Sequence, residues 1–507
     1  MAIKTPLKVF NMRRALLYFF PLVIILAAAV WLPFQFEWRA PTIKIKLDSE
    51  YVGSRPFHVE ISDKGRGLKK VSISLLAAGE EHPIVVEHYD RPVKRDDVVV
   101  TLSRETLNLK GGPAVLRVTA TDRSYWNFFK GNAVTLEKDV IVDLTPPRIQ
   151  PITVDRYINF GGSGLVIYQT SPDTVKSGVQ IEDYFFLGYK GPLKTPDTYM
   201  AYFAHPHDVS NKKAFILAED AAGNVTKRTL DYTLRNVRIR KKQVKITDRL
   251  IERKVIPLLG RGPSQGKSLK DLFIAVNRDM RRENNAKIKE VSSQSIDSML
   301  WDLPFHQLSN SKVEANFADE RTYVYNDEVI DQAFHLGYDL AVTKHYPIEA
   351  ANTGVVAFSG DLGIYGNTVI IDHGLGLFTL YSHMSLMGVK KGETVKRKQI
   401  IGRTGETGLT TGDHLHYATM LHGVPVLPLE WWDGRWVDEN ILSKIRFVIG
   451  RQPVASRSPQ VKESDELTVL DTVQQVQRKK DEMTPSSPPE QETIKEESET
   501  QTPMGPQ

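Results

Sequence analysis

Seven of the chain's 13 histidines fall between His335 and His422, and three stretches there pair them with other groups able to hold a metal or move a proton. HLGYDLA sets His335 four residues before Asp339. An imidazole and a carboxylate are both good Zn²⁺ ligands. Taken alone that pair reads first as structural, with Gly337 and the alternation after it marking a loop that enters a strand. TVIIDHGLGLFTLYSHM reads as two strands joined at Gly374-Leu375-Gly376, with His373 at the turn and His383 at the end of the second strand. A single histidine at a strand end is more often structural than catalytic. GETGLTTGDHLHYATM opens a loop with Gly405, Gly408 and Gly412, then places His414 and His416 two apart. On a strand both imidazoles face the same way. One can bind a metal while the other meets a water on it. The glycine-rich loop, with His335 and Asp339 upstream, tips this reading from bland to functional.

The composition narrows the chemistry further. The 507 residues contain no cysteine. That excludes disulfides, thiolate zinc, iron–sulfur clusters, a thiol nucleophile and an acylated-cysteine anchor. Any metal must be held by His, Asp or Glu. The net charge of +5 comes from 66 basic and 61 acidic residues and does not call for nucleic acid. GRGPSQGKS, from residue 260, imitates a phosphate loop but fails its spacing: five positions before Gly266 stands Arg261, not glycine.

From about Phe317 to Leu429 the chain resembles the lysostaphin-type (LytM-like) zinc metallopeptidases. HLGYD, YGNTVIIDHGLGLFTLYSHM and VKKGETVKRKQIIGRTGETGLTTGDHLHY stand in that family's order and spacing, and VPVLPLEW resembles its usual ending. The resemblance implies an antiparallel β fold and one Zn²⁺ held by His335, Asp339 and His416. It puts His383 and His414 at the catalytic histidine positions and Arg321 where the family often has an arginine. It implies hydrolysis of peptide cross-links in peptidoglycan. The text around Arg321, NFADERTYVYNDEV, departs from the family's usual wording.

These residues must be positioned by the rest of a mainly β chain. Ala15 to Phe34 runs without a charge, about the ~20 residues a helix needs to cross a bilayer. Basic residues at Lys4, Lys8, Arg13 and Arg14 precede it. The expectation is a cytoplasmic segment at 1–14, a transmembrane helix at 15–34, and the bulk of the chain outside the inner membrane, in a periplasm. VLRVTATD ends at Asp122 and AFILAED at Asp220; both alternate, and both close on Ala-x-Asp before a turn. Their offset of roughly 98 residues is close to the ~100 of an immunoglobulin-like sandwich. VDLTPP, at Asp143 to Pro147, punctuates the boundary. Residues 40–145 and 146–236 are thus read as two sandwiches resembling bacterial immunoglobulin-like modules, serving as spacers or binding surfaces. Residues 237–305 read as a helical connector. Its better helix starts at Ser268, where SLKD fits a capping box and Leu269, Leu272, Phe273, Val276 and Met280 recur at helical spacing. The metallopeptidase domain is placed at 306–445. Residues 452–507, rich in Ser, Pro, Glu and Thr, read as a disordered tail.

The functional expectation is a membrane-anchored zinc endopeptidase acting on cross-linked peptidoglycan. Two alternatives stand beside it. One is a latent or non-catalytic scaffold, binding peptidoglycan or an amidase, its cleft plugged by the connector or by Asn310 or Asn316. The other is a general protease of secreted proteins.

Overall fold

The computed structural model describes residues 36–103, 111–209, 213–235, 239–260 and 265–450, with residues 19, 21–27, 29 and 31 of the N-terminal segment. The expected segment 1–14 and tail 452–507 lie outside the described residues, as does part of the expected span 15–34. Among the described residues no helix is long and apolar enough to cross a membrane.

Alternation builds two β-sandwiches. In the first, a three-stranded sheet (Thr42–Lys46, Phe57–Ser62, Arg95–Val100) faces a five-stranded one centred on Gly112–Asp122 and Leu68–Ala77. Every second residue of Gly112–Asp122 is buried, and Leu116, Val118 and Ala120 share a core with Val59 and Ile61 of the facing sheet. The second repeats the plan, with Ser163–Thr170 central to three strands and Thr174–Ile181 and Ala214–Asp220 central to four.

The two repeated aspartates end corresponding strands, and each is buried against an asparagine. Asp122 accepts from the main chain and carboxamide of Asn132, and Asp220 does the same from Asn224. The spare carboxamide hydrogens then hold the incoming chain: Asn132 donates to the Glu37 carbonyl, and Asn224 to that of Asp143 in VDLTPP. Each pair therefore joins its sandwich to what precedes it.

Residues 241–291 are only partly the helical connector expected. Lys241–Lys245 is a strand, parallel to Glu320–Tyr325, which pairs antiparallel with Glu328–Phe334. The lysine-rich text KKQVK masked its alternation. Helix follows from Asp248 to Leu259 and from Leu269 to Val291, with single π-type turns inside each. Ser268 caps the second as its sequence announces, its hydroxyl accepting from the Asp271 main chain at 3.1 Å.

The last large sheet has eight strands. Its path runs Lys312–Ala315, Tyr338–Ala341, Leu415–Leu421, Leu377–Ser382, Asn367–Asp372, Gly354–Asp361, Thr394–Val395, with Val424–Val426 beside Leu415–Leu421. All its pairings are antiparallel. Its central strands are covered on both faces, so their residues are buried throughout rather than alternately. The period of two decides which core each residue joins. Leu415, Tyr417 and Leu421 belong to a core shared with the second sandwich and Trp431, whereas Ala418 and Met420 pack with Phe273, Val276 and Ile288 of the connector helix. The second sandwich is thus no free spacer. Four short helical segments from Pro428 to Gly450 complete the shared core, and nothing in the expected domain ending announced them.

Candidate metal centre

Strand register assembles the site. Asp339 stands directly opposite His416 in one ladder, and Ser382 opposite His416 in the next. Residues facing one another across antiparallel strands project to one side, so Asp339 and His416 meet without any loop having to fold over. His383 follows Ser382 at φ 62°, a left-handed backbone that swings its imidazole out of the strand and toward the same place. His335 arrives from the loop just before Tyr338–Ala341.

The donor atoms converge closely. His335 Nε2 lies 2.9 Å from Asp339 Oδ1 and 3.0 Å from His416 Nδ1, and His416 Nδ1 lies 3.0 Å from the same carboxylate oxygen. Two imidazole nitrogens and a carboxylate oxygen at such separations suit a cation ~2.0–2.2 Å from each. His414 Nε2 stands 3.4 Å from Asp339 Oδ1, and the His383 ring centroid is 4.9 Å from that of His414. All five residues singled out from the sequence therefore share one cluster. Two further groups, Glu37/Asp63/Asp122 and Asp143/Asp173/Asp220, bring three carboxylates together at corresponding points of the two sandwiches, with no nitrogen donor.

Main-chain carbonyls set the tautomers. Nδ1 of His335 is 2.9 Å from the Asn316 oxygen, that of His383 is 2.8 Å from Thr407, and that of His414 is 2.9 Å from Gly412. A carbonyl only accepts, so each Nδ1 carries a proton, and in the neutral ring each Nε2 presents a lone pair. For a ligating histidine this is the usual outer partner that fixes ring orientation. Burial would raise the Asp339 pKa, but the His335 charge and hydrogen bonds from His335, His414 and His416 hold it well below the usual carboxylate range. Burial pushes His416 down to about 4. It also lowers His383, helped by the nearby charges of His414 and His416. Burial opposes protonation of His414 too, yet its bond to Asp339 carries the balance upward.

The cluster opens into a cleft of about 500 Å³, walled by Lys242, Val244 and Lys245 of the connector strand, by Phe273 and Arg281 of the helix, and by Arg321 and Tyr323. Arg321 donates to Asp339 Oδ2 at 2.9 Å. Tyr365, whose carbonyl accepts from the His383 main chain, is fixed in turn by Asn285 of the connector helix at 2.9 Å. Neither asparagine considered as a plug lines the cleft: Asn310 donates to the Tyr346 hydroxyl, and Asn316 offers His335 its main-chain carbonyl. The connector walls the cleft without filling it. Sequence reading missed the three carbonyls and the connector strand; carbonyls carry no residue signature.

His373 and His422 are buried away from the cluster. His373 bridges the Thr353 carbonyl and the Thr379 hydroxyl, and His422 stacks on Tyr189 of the second sandwich. His345 is exposed.

Residues 333–428 match, as a domain, the model of Peptidase family M23. That segment holds all five clustered residues. Over 95 residues the chain is 42% identical to the DD-carboxypeptidase/endopeptidase Mpg of Neisseria meningitidis serogroup B, covering 19% of this chain and 22% of that protein. Over 118 residues it is 38% identical to the peptidoglycan DD-endopeptidase ShyA of Vibrio cholerae, covering 23% and 27%. The chain thus spans about a quarter of the length of the curated relatives it matches. The catalytic domain of the antimicrobial peptidase lysostaphin from Staphylococcus simulans aligns at 26% identity and TM-score 0.21, covering 24% of this chain and 92% of that domain.

Proposed function

We propose that this chain is a zinc metalloendopeptidase that hydrolyses peptide cross-links of bacterial peptidoglycan. In this reading residues 15–34 anchor it in the inner membrane, and the M23 domain works in the periplasm. The observation that carries the reading is the convergence of His335, Asp339 and His416 with His383 and His414 on one wall of an open cleft.

His335 Nε2, Asp339 Oδ1 and His416 Nδ1 would hold one Zn²⁺. When bound, the ion supplies a Lewis acid for the scissile carbonyl and acidifies water to near neutral pH. His414 is the general base. Its Nδ1 proton is committed to the Gly412 carbonyl, which leaves Nε2 to take a proton from the attacking water and return it to the departing amine. His383 offers Nε2 from the other side and orients the water or the developing oxyanion. A cleft of about 500 Å³ lies within the ~300–1,000 Å³ range of ligand sites, and the basic residues on its wall suit a substrate rich in carboxylates.

The test uses the full chain: metal analysis, then digestion of cross-linked muropeptides beside a protein substrate. His414→Ala is expected to keep the metal and lose about 10²–10⁴-fold in cleavage rate, while His416→Ala loses the metal. Full activity in His414→Ala would refute its assignment. Bound zinc with no cleavage of either substrate would favour the scaffold instead.

A further inference from the structure

One surface of the first sandwich is left unexplained by the metal centre. Residues 125–130 leave the buried Asp122 as a short loop in which Asn127, Phe128 and Phe129 all adopt positive φ, at 53°, 55° and 68°. Three successive non-glycine residues in that region are unfavourable and persist only where the surroundings impose them. Here three main-chain bonds do so, to the carbonyls of Tyr125, Trp126 and Asn127. The result presents Phe128 with 92% of its surface in solvent, Phe129 with 65% and Trp126 with 46%. A soluble surface gains nothing by holding large apolar rings outward in a strained turn.

The loop is fastened to the point where the chain leaves the apolar run. Phe36 packs against Tyr125 at 5.9 Å and Phe129 at 6.3 Å between ring centroids. Ser124 Oγ and the Asn132 carboxamide both donate to the Glu37 carbonyl. Trp38 stands 74% exposed beside them, with Arg39 and Lys130 also exposed. From Phe34, the last residue of the apolar run, to Phe36 is two residues, a reach of at most about 7 Å. The headgroup layer on each side of a bilayer is about 5–8 Å thick. A loop fastened at Phe36 therefore cannot stand clear of that layer if residues 15–34 cross the membrane.

We infer that Trp126, Phe128 and Phe129, with Phe36 and Trp38, form an aromatic foot that inserts into the headgroup–acyl boundary of the bilayer. This rests on the proposed membrane anchor and adds to it a second contact, made by the folded sandwich. Aromatic rings suit this boundary, where an apolar body meets a wet edge, and Arg39 and Lys130 meet anionic headgroups. The foot would hold the first sandwich upright on the membrane instead of leaving it to swing on residues 35–36.

The absence of cysteine makes a direct test possible, because one introduced thiol is a unique labelling site. Three variants of the full chain, Phe128→Cys, Leu26→Cys and Val99→Cys, are labelled with an environment-sensitive fluorophore. Each is reconstituted into phosphatidylethanolamine–phosphatidylglycerol vesicles carrying spin-labelled lipids. Val99 is 55% exposed and precedes Val100, which pairs with Phe57 at the end of the sheet where Arg55 meets Ala222 of the second sandwich. The label at 128 is expected to shift to the blue and lose most of its emission to the lipid quencher, as does the label at 26, while that at 99 is unaffected. Quenching at 26 without quenching at 128 overturns the foot and leaves the anchor standing. Quenching at neither overturns both, and equal quenching at 99 and 128 overturns the upright foot.

Discussion

At the scale of single residues, the centre depends on groups that cannot themselves bind a metal. Gly337, inside HLGYD, is one: a Cβ there would stand 2.5 Å from the Tyr417 carbonyl and 2.7 Å from His416 Cε1. Gly337→Ala should push the His416 ring aside and weaken metal binding by about 10–100-fold, the usual loss for a disturbed outer shell. Competition with a chromogenic chelator measures this, and unchanged affinity would show that the ring has room to move. Glu430 acts away from the centre, at the junction between domains. It is buried between the M23 domain and the second sandwich, accepting from Asn159 and from the Ser163 main chain at 2.7 Å each. Burial pushes its pKa up to about 7, against the two hydrogen bonds. A carboxyl raised from its ordinary value near 4.5 binds a proton in the folded chain that the unfolded chain has already released. Its contribution is therefore full at acid pH and falls as pH rises through that window, by on the order of 3 kcal/mol. Melting curves between pH 5 and 8 should show this slope, and Glu430→Gln should flatten it. The five clustered residues could be read from the sequence chiefly because three motifs in order resemble a known family; only His414 and His416, two apart, announced themselves by a strand period. Glu430 could not, since a glutamate in LPLEWW gives no sign of the distant strand that buries it.

At the scale of elements, the M23 sheet is usable only because both of its faces are covered. The connector helix lays Phe273 against Tyr323 at 5.3 Å between centroids and also lines the cleft, so one side chain serves packing and site together. Phe273→Ala should cost about 3–5 kcal/mol, read by denaturant titration, and should raise KM for a cross-linked peptide more than it lowers kcat. An unchanged KM would show that the wall is passive. Ser268, Leu272, Phe273 and Val276 announced this helix by cap and period, and the sandwich strands announced themselves by alternation. Lys241–Lys245 did not. Its side chains are mostly exposed, so the pattern gives no buried stripe, and its parallel partner is some 80 residues away in sequence, from Lys241 to Glu320. The run TVIID disguised its setting in another way: a strand covered on both faces reads as uniformly apolar, and nothing local says which neighbour supplies each cover.

At the scale of the whole molecule there are two kinds of junction. The two sandwiches meet through polar groups, Arg55 with Glu219 and Ser54 with Asn224, and keep separate cores. The second sandwich and the M23 domain instead share one core, bridged by Trp431, whose Nε1 donates to Ser163 Oγ, and by the buried Asp155 paired with the half-buried Lys444. Calorimetry of the full chain should therefore show two transitions, one for the first sandwich and one for everything from about residue 146 to 450. Trp431→Ala should lower only the second. Three transitions, with the second sandwich melting alone, would contradict the shared core. The boundary at VDLTPP was legible because prolines interrupt a ladder; the fusion across residue 237 was not, because apolar strands look alike whether they close on themselves or on a neighbour. The shared core also bears on descent. Modules that meet through polar junctions can be exchanged between genes like beads, whereas a crossover at residue 237 would give each daughter protein half of a hydrophobic interior. Separating the second sandwich from the M23 domain would therefore be costly, whereas a seam at VDLTPP leaves both cores whole.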